Sequence, residues 1–203
     1  MINEEMLIEL RTSVSLRMSK KRFEHTLGVE KATGKLASIW LPERTTELAA
    51  AALLHDISKE MPEAAQIELI LREEPLFSKN DLKCTPALHS FSAPYVVKCD
   101  FPLFATEDIL SAVGKHTLGD VEMSVFDEII FLADFIEESR TYPNAVRTRN
   151  FVFDSIKCRK TDIKLLHKAC IMEIESTISF LTKEGREINE RALLAKETLL
   201  SKI

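Results

Sequence analysis

Glu47-Leu48-Ala49-Ala50-Ala51-Ala52-Leu53-Leu54-His55-Asp56-Ile57-Ser58-Lys59 is an apolar alanine-leucine run that ends in an imidazole beside a carboxylate. The run reads as a buried helix, and two polar groups at its end are costly to bury unless something satisfies both. A metal ion does that. Adjacent helical residues point in different directions, so His55 and Asp56 grip one ion only at the helix end or where the helix is distorted. The remaining ligands must then come from other segments. Lys59, four residues after His55, is expected on the same face, with its ammonium beside whatever the ion binds. Taken alone, the dipeptide reads equally well as a local cap or surface pair.

Working outward, five Gly and seven Pro among 203 residues, with 45% hydrophobic and 29% charged, describe a chain poor in turns and rich in helix. That length suits one domain, or one domain with a helical appendage. The net charge of -5 argues against a general nucleic-acid or anionic-membrane surface and leaves small phosphorylated ligands for a local basic pocket. Cys84, Cys99, Cys158 and Cys170 show no C-x-x-C spacing, so reduced thiols in a cytoplasmic protein are expected. No stretch approaches the ~18 uninterrupted apolar residues of a membrane span, and Met1-Ile2-Asn3-Glu4-Glu5 is acidic rather than signal-like.

Apolar spacing predicts a first helix over 2–16 and a second from Ser19 to about Trp40, with His25 on a stripe that otherwise looks buried. The third helix delivers His55 and Asp56, and another follows Pro62. Residues 73–86 read as a loop with one short turn, after which His89 starts a helix through Val97. Thr106-Glu107-Asp108 opens a helix that ends near Gly114, leaving His116 at a terminus. Ser124 and Asp127 form a capping box for a helix over 125–140. Within it Asp134 stands among Phe131, Leu132, Phe135 and Ile136, a carboxylate expected to be buried and paired or metal-bound. Three more helices, over about 145–156, 161–183 and from Asn189, read as support, and the fold class is all-α.

Six N/O donors, His25, His55, Asp56, His89, His116 and Asp134, with no thiolate among them, suit iron, manganese or zinc. In this reading one ion takes His25, His55, Asp56 and Asp134, and a second takes His89 and His116 with Asp56 as the bridge. Two ions ~3.5–4 Å apart generate a hydroxide at neutral pH and clamp a phosphoryl group. His167, with no acid in a matching motif nearby, is assigned to packing or the surface.

Arg22-Phe23-Glu24-His25, His55-Asp56-Ile57-Ser58-Lys59, Leu88-His89-Ser90, His116-Thr117-Leu118-Gly119 and Ala133-Asp134-Phe135-Ile136-Glu137-Glu138-Ser139-Arg140 resemble, in order and spacing, the HD-domain superfamily. More narrowly they resemble its bacterial YqeK-type symmetrical bis(5'-nucleosyl)-tetraphosphatases. The resemblance implies an HD-domain helical bundle, a single phosphohydrolase unit over 1–203 with its core at about 17–140 and supporting helices over 144–203. It implies iron-dependent hydrolysis of diadenosine tetraphosphate to two ADP, with metal ligands His25, His55, Asp56 and Asp134, and His89 and His116 as additional active-site histidines. By the same matching Arg22, Lys59, Thr117 and Arg140 contact the phosphates, alongside His25, His89 and His116. Asp56, Lys59, His89 and His116 are then the catalytic set, and a homodimer is compatible with it. The family pattern places glycines after the third histidine, where this chain has Ser90 and Ser92, side chains expected to narrow the backbone approach. A mononucleotide or cyclic-nucleotide phosphohydrolase, and a non-catalytic nucleotide or metal sensor, are the competing readings.

Overall fold

The computed structural model describes residues 2–203. Among them the chain forms α1 (Glu4–Ser15), α2 (Lys20–Trp40), α3 (Thr45–Leu54), α4 (Glu63–Glu73), α5 (Lys79–Lys83), α6 (Leu88–Asp100), α7 (Glu107–Lys115), α8 (Val125–Ile136), α9 (Pro143–Lys157), α10 (Ile163–Lys183) and α11 (Glu190–Ser201), with short 3-10 turns and no strand. The fold is all-α. No helix among the described residues is long and apolar enough to cross a membrane.

Cap chemistry sets most of the helix starts. Asn3 Oδ1 accepts from Met6 N (2.9 Å) ahead of α1, and Ser19 Oγ accepts from Arg22 N (3.3 Å) ahead of α2. Asp127 N donates to Ser124 Oγ (3.1 Å) while Ser124 N donates to Asp127 Oδ2 (2.9 Å), which completes the capping box at α8. Helix α10 closes before Gly185, whose φ of +64° is one that a side chain rarely tolerates.

Two helix ends differ from the sequence expectation, and both shape the site. Helix α3 stops at Leu54, and the next residues turn tightly, with Ile57 N donating to Leu54 O (3.1 Å) and Lys59 N to Asp56 O (2.9 Å). Lys59 therefore does not share a helical face with His55. Helix α8 ends at Ile136 instead of Arg140. The guanidinium of Arg149, on α9, donates to Ile136 O (2.6 Å), Glu137 O (2.5 Å) and Arg140 O (2.7 Å), and so takes up carbonyls left over at the helix end.

Packing centres on α2, which lies against α3 and α8, while α7 touches α3, α6 and α8. Val29 and Leu36 from α2, Leu53 and Leu54 from α3, and Ile129, Ile130 and Leu132 from α8 are fully buried between them. Each such side chain stabilises the fold by about 1.5–3 kcal/mol on transfer from water. On the far side α10 packs on α8 and carries α9 and α11. The 73–86 segment holds the five-residue α5 followed by a 3-10 turn.

Candidate metal centre

Five segments bring their polar side chains to one place. The start of α2 supplies Arg22 and His25, the end of α3 supplies His55 and Asp56, the start of α6 supplies His89, the end of α7 supplies His116 and Thr117, and the end of α8 supplies Asp134, Glu137 and Arg140. His55, Asp56, His89 and His116 are buried at the floor. The open side is formed by Asp134, Arg22 and Arg140, whose side chains are 19%, 27% and 34% exposed. Asp134 is thus less enclosed than its apolar neighbours in sequence suggest, because it lies at the mouth.

The ring orientations are fixed from behind. His55 Nδ1 lies 2.7 Å from Ala52 O and His116 Nδ1 lies 2.7 Å from Val113 O. A carbonyl only accepts, so each Nδ1 carries the hydrogen and each Nε2 presents its lone pair to the site. His25 Nδ1 is held the same way by Glu137 Oε1 at 3.2 Å. Glu137 is itself pinned: Ser139 N donates to its Oε2 at 2.7 Å and the Ser139 hydroxyl to its Oε1. The sequence reading gives Glu137 no role of its own, since its partner lies 112 residues away. Its signal in the sequence is its place in the Ala133–Arg140 stretch that carries the family resemblance.

Two groups have ligand spacing: His25, His55 and Asp134, and His55, Asp56 and His116. Within them His25 Nε2 is 3.0 Å from Asp134 Oδ1, and His55 Nε2 is 3.4 Å from Asp56 Oδ2. His55 is common to both groups, and the expected second set of Asp56, His89 and His116 is drawn together as well, with His116 Nε2 3.6 Å from Asp56 Oδ1. His89 Nε2 lies 3.0 Å from His116 Nε2, 3.2 Å from Asp56 Oδ1 and 3.1 Å from Thr117 Oγ1. Lys59 Nζ lies against the same ring, 3.0 Å from Nδ1 and 3.1 Å from Nε2, and donates to Pro86 O at 3.4 Å. Burial, reinforced by His116 and Lys59, outweighs Asp56 and takes His89 down to about 4, so the ring is neutral.

Charge in the centre is arranged around the carboxylates. Arg22 Nη1 donates to Asp56 Oδ2 and Arg140 Nη2 to Asp134 Oδ1, both at 2.7 Å. Burial opposes ionisation of both acids, but the surrounding imidazoles, and for Asp134 also Arg140, hold them well below the usual carboxylate range. Burial likewise works against a charge on His25, yet Asp134 and Glu137 raise it to about 9. Lys59 is lowered, chiefly by burial.

Whether a metal ion fits is decided by two atoms. His25 Nε2 and His55 Nε2 are buried and make no aligned hydrogen bond, although both face carboxylates and His25 Nε2 is within ion-pair distance of Asp134. A divalent cation satisfies lone pairs and anions together, and the donor set of imidazole and carboxylate without thiolate suits iron, manganese or zinc. The residues fit.

The serines after His89 do not intrude. Ser90 Oγ donates to Ala87 O (2.8 Å), and Ser92 Oγ donates to Ser58 Oγ (2.8 Å), whose own hydroxyl donates to His89 O (2.8 Å). Ser92 thereby ties α6 to the turn after α3, and Ser90 closes the first turn of α6 on itself. His167 lies outside the centre: it is buried, with Nδ1 2.6 Å from Glu128 Oε2.

Residues 22–138 match the HD domain family. The chain is 30% identical over 190 residues to the symmetrical bis(5'-nucleosyl)-tetraphosphatase of Halalkalibacterium halodurans, covering 92% of this chain and 93% of that one. It is 29% identical over 189 residues to the enzyme of the same name from Bacillus subtilis, covering 93% and 94%. The crystal structure of a predicted HD superfamily hydrolase involved in NAD metabolism from Clostridium acetobutylicum superposes over the whole of both chains with a TM-score of 0.83 at 26% identity.

Proposed function

The chain belongs to the HD-domain family, and from that premise we propose that it is a metal-dependent phosphoanhydride hydrolase that cuts diadenosine tetraphosphate and related dinucleoside polyphosphates symmetrically, giving two ADP. The observation that carries this reading is the pair of buried imidazole nitrogens, without aligned hydrogen bonds, facing Asp56 and Asp134, with arginines on the open side. The symmetrical cut draws its support from the activity named for the Halalkalibacterium and Bacillus relatives. Iron is the proposed cation, with manganese and zinc as the alternatives for the same donors. The proposed working unit is 1–203, with its core at about 17–140.

In this proposal His25, His55 and Asp134 hold the cation, and Asp56 and His116 extend the donor set around the shared His55. A divalent cation bound there supplies Lewis acidity toward a phosphoryl oxygen and acidifies water. Arg22 and Arg140 turn from the carboxylates they now cap to the non-bridging oxygens of the phosphate chain, from the side where substrate enters. Asp56, held ionised, accepts a hydrogen bond from the attacking water and orients it. His89 is neutral and donates from Nε2, Lys59 stands beside it, and both face the charge that develops as the anhydride breaks. The Thr117 hydroxyl, next to His89, bonds the same phosphate.

Product analysis tests the assignment. Metal-loaded protein incubated with diadenosine tetraphosphate is expected to yield ADP alone. Formation of ATP with AMP, turnover confined to mononucleotides or cyclic dinucleotides, or nucleotide binding without turnover at full metal content overturns it.

A further inference from the structure

Positive charge gathers where α9 gives way to α10. Residues 157–168 carry five lysines and arginines against the single acid Asp162, whereas the whole chain has a net charge of -5, so the remainder carries -9. An open depression of about 760 Å³ lies there, with Phe151 and Leu165 at its apolar base and Arg159, Lys160, Lys164 and Lys168 around it. All four cations are exposed, and among the described residues none is within ion-pair distance of a carboxylate, whereas Lys157 is paired with Asp154 at 2.9 Å. The one acid is already engaged, because Asp162 Oδ1 accepts from Lys164 N at 2.8 Å as the cap of α10.

Stability does not account for two of these cations. Arg159 has a φ of +57°, a left-handed conformation that favours glycine, and it closes α9 with its N donating to Ile156 O (2.8 Å) and Lys160 N donating to Ser155 O (2.9 Å). Lys164 stands in the first turn of α10, where the helix dipole disfavours a cation. Each position holds a positive side chain against the preference of its own backbone.

We propose that this depression is an accessory site for a short phosphate chain, separate from the metal centre. Lysines and an arginine fork bind phosphate oxygens through charge-assisted hydrogen bonds, and the Ser155 and Thr161 hydroxyls of the same lining add neutral donors. The surrounding charge selects a short anion: an RNA strand or an anionic membrane would extend past the four cations and meet the acidic remainder of the surface. Phe151 is half-buried and Leu165 buried, so neither stands out to enter a bilayer or to stack on a run of bases. The site is also remote from the imidazoles. Trp40 Nε1 donates to Thr161 O (3.0 Å), which fixes the loop to the end of α2, and His25 lies fifteen residues earlier on that helix, about 22 Å along its axis. The proposal therefore stands whether or not the centre hydrolyses dinucleoside polyphosphates.

Sodium tripolyphosphate titrated into the isotope-labelled, metal-free full chain, and followed by amide chemical shifts, tests it. Saturable shifts within 155–168, at a lower midpoint than inorganic phosphate gives, are expected. Shifts confined to other segments, or equal midpoints for the two anions, overturn the site. Arg159→Gly should raise the unfolding temperature by about 2–4 °C, because glycine relieves the left-handed residue, and weaken tripolyphosphate at these amides at least about fivefold. Lys164→Gln combined with Lys168→Gln, at exposed positions, should weaken it at least as much, and an unchanged midpoint in either variant overturns the assignment. Adenosine triphosphate acting on the same amides at a lower midpoint than tripolyphosphate identifies the chain as nucleotide-borne, and a higher midpoint identifies it as free; both support the site. Binding of single-stranded RNA or phosphatidylserine vesicles at 155–168 without tripolyphosphate binding overturns it and assigns the face to an extended polyanion.

Discussion

Glu137 holds His25 from behind, and without it Nδ1 loses the carboxylate that orients the ring. Glu137→Ala is expected to reduce metal affinity by about 10–100-fold, the usual cost of removing an outer partner of a ligating histidine. Titration of the metal-free variant checks it, and unchanged affinity removes Glu137 from the centre. His25 adds a pH dependence. Its proton, held up to about pH 9, must leave before a cation binds, so apparent metal affinity should rise about tenfold per pH unit from 7 to 9 and then level. In the metal-free protein the same proton stabilises the fold fully below the ordinary histidine range, and that stability is lost as pH rises through about 9. Glu173 behaves in the opposite sense. Buried, near Asp134 and with Oε2 unpartnered, it stays protonated where the unfolded chain ionises, so it weakens the fold increasingly above the ordinary glutamate range. Glu173→Met should stabilise the protein by about 1–3 kcal/mol at pH 7 and by little at pH 4, as read by denaturant unfolding. The sequence exposed the proposed ligands because histidine and aspartate interrupt apolar runs. It hid Glu137, and it hid Glu128, the partner of His167, because each meets its histidine across a long separation.

At the scale of the helix, α2 shows how close the outer partners sit. A Cβ at Gly28 would stand 2.5 Å from Glu137 Oε2, whereas one at Gly34 meets nothing within 4 Å. Glycine to alanine inside a helix ordinarily stabilises by about 1 kcal/mol. Gly34→Ala is expected to show that gain with normal metal binding, and Gly28→Ala to lose metal affinity as Glu137 is pushed from His25. Thermal unfolding and metal titration of the two variants together decide it, and matching behaviour would count against the geometry. Helix starts were readable from Ser, Thr and Asn caps, which act within a turn. The early end of α8 was not, since the group that takes its carbonyls, Arg149, arrives from α9.

For the whole molecule, the proposed ligands run from His25 to Asp134, so the centre exists only when α2, α3, α7 and α8 are assembled. The all-α class and the order of histidines and aspartates were legible in advance. The sharing of His55 between two groups was not, because it depends on a tight turn and on ring rotations set by packing. A cation that binds the folded chain alone should add about 2.7 kcal/mol when present at a hundred times its dissociation constant, so chelation should lower the unfolding temperature. An unfolding temperature indifferent to chelator would place the cation outside the assembled site.

His55 and His116 each stand where a helix ends and each bonds the carbonyl three residues earlier. On the proposed ligand set each imidazole serves as both ligand and helix stop, so fraying of the last turn and release of the ion become a single event. Deuterium uptake at the amides around 55–59 and 116–119 should then slow when the ion is present, which makes these two turns a built-in gauge of occupancy that needs no substrate.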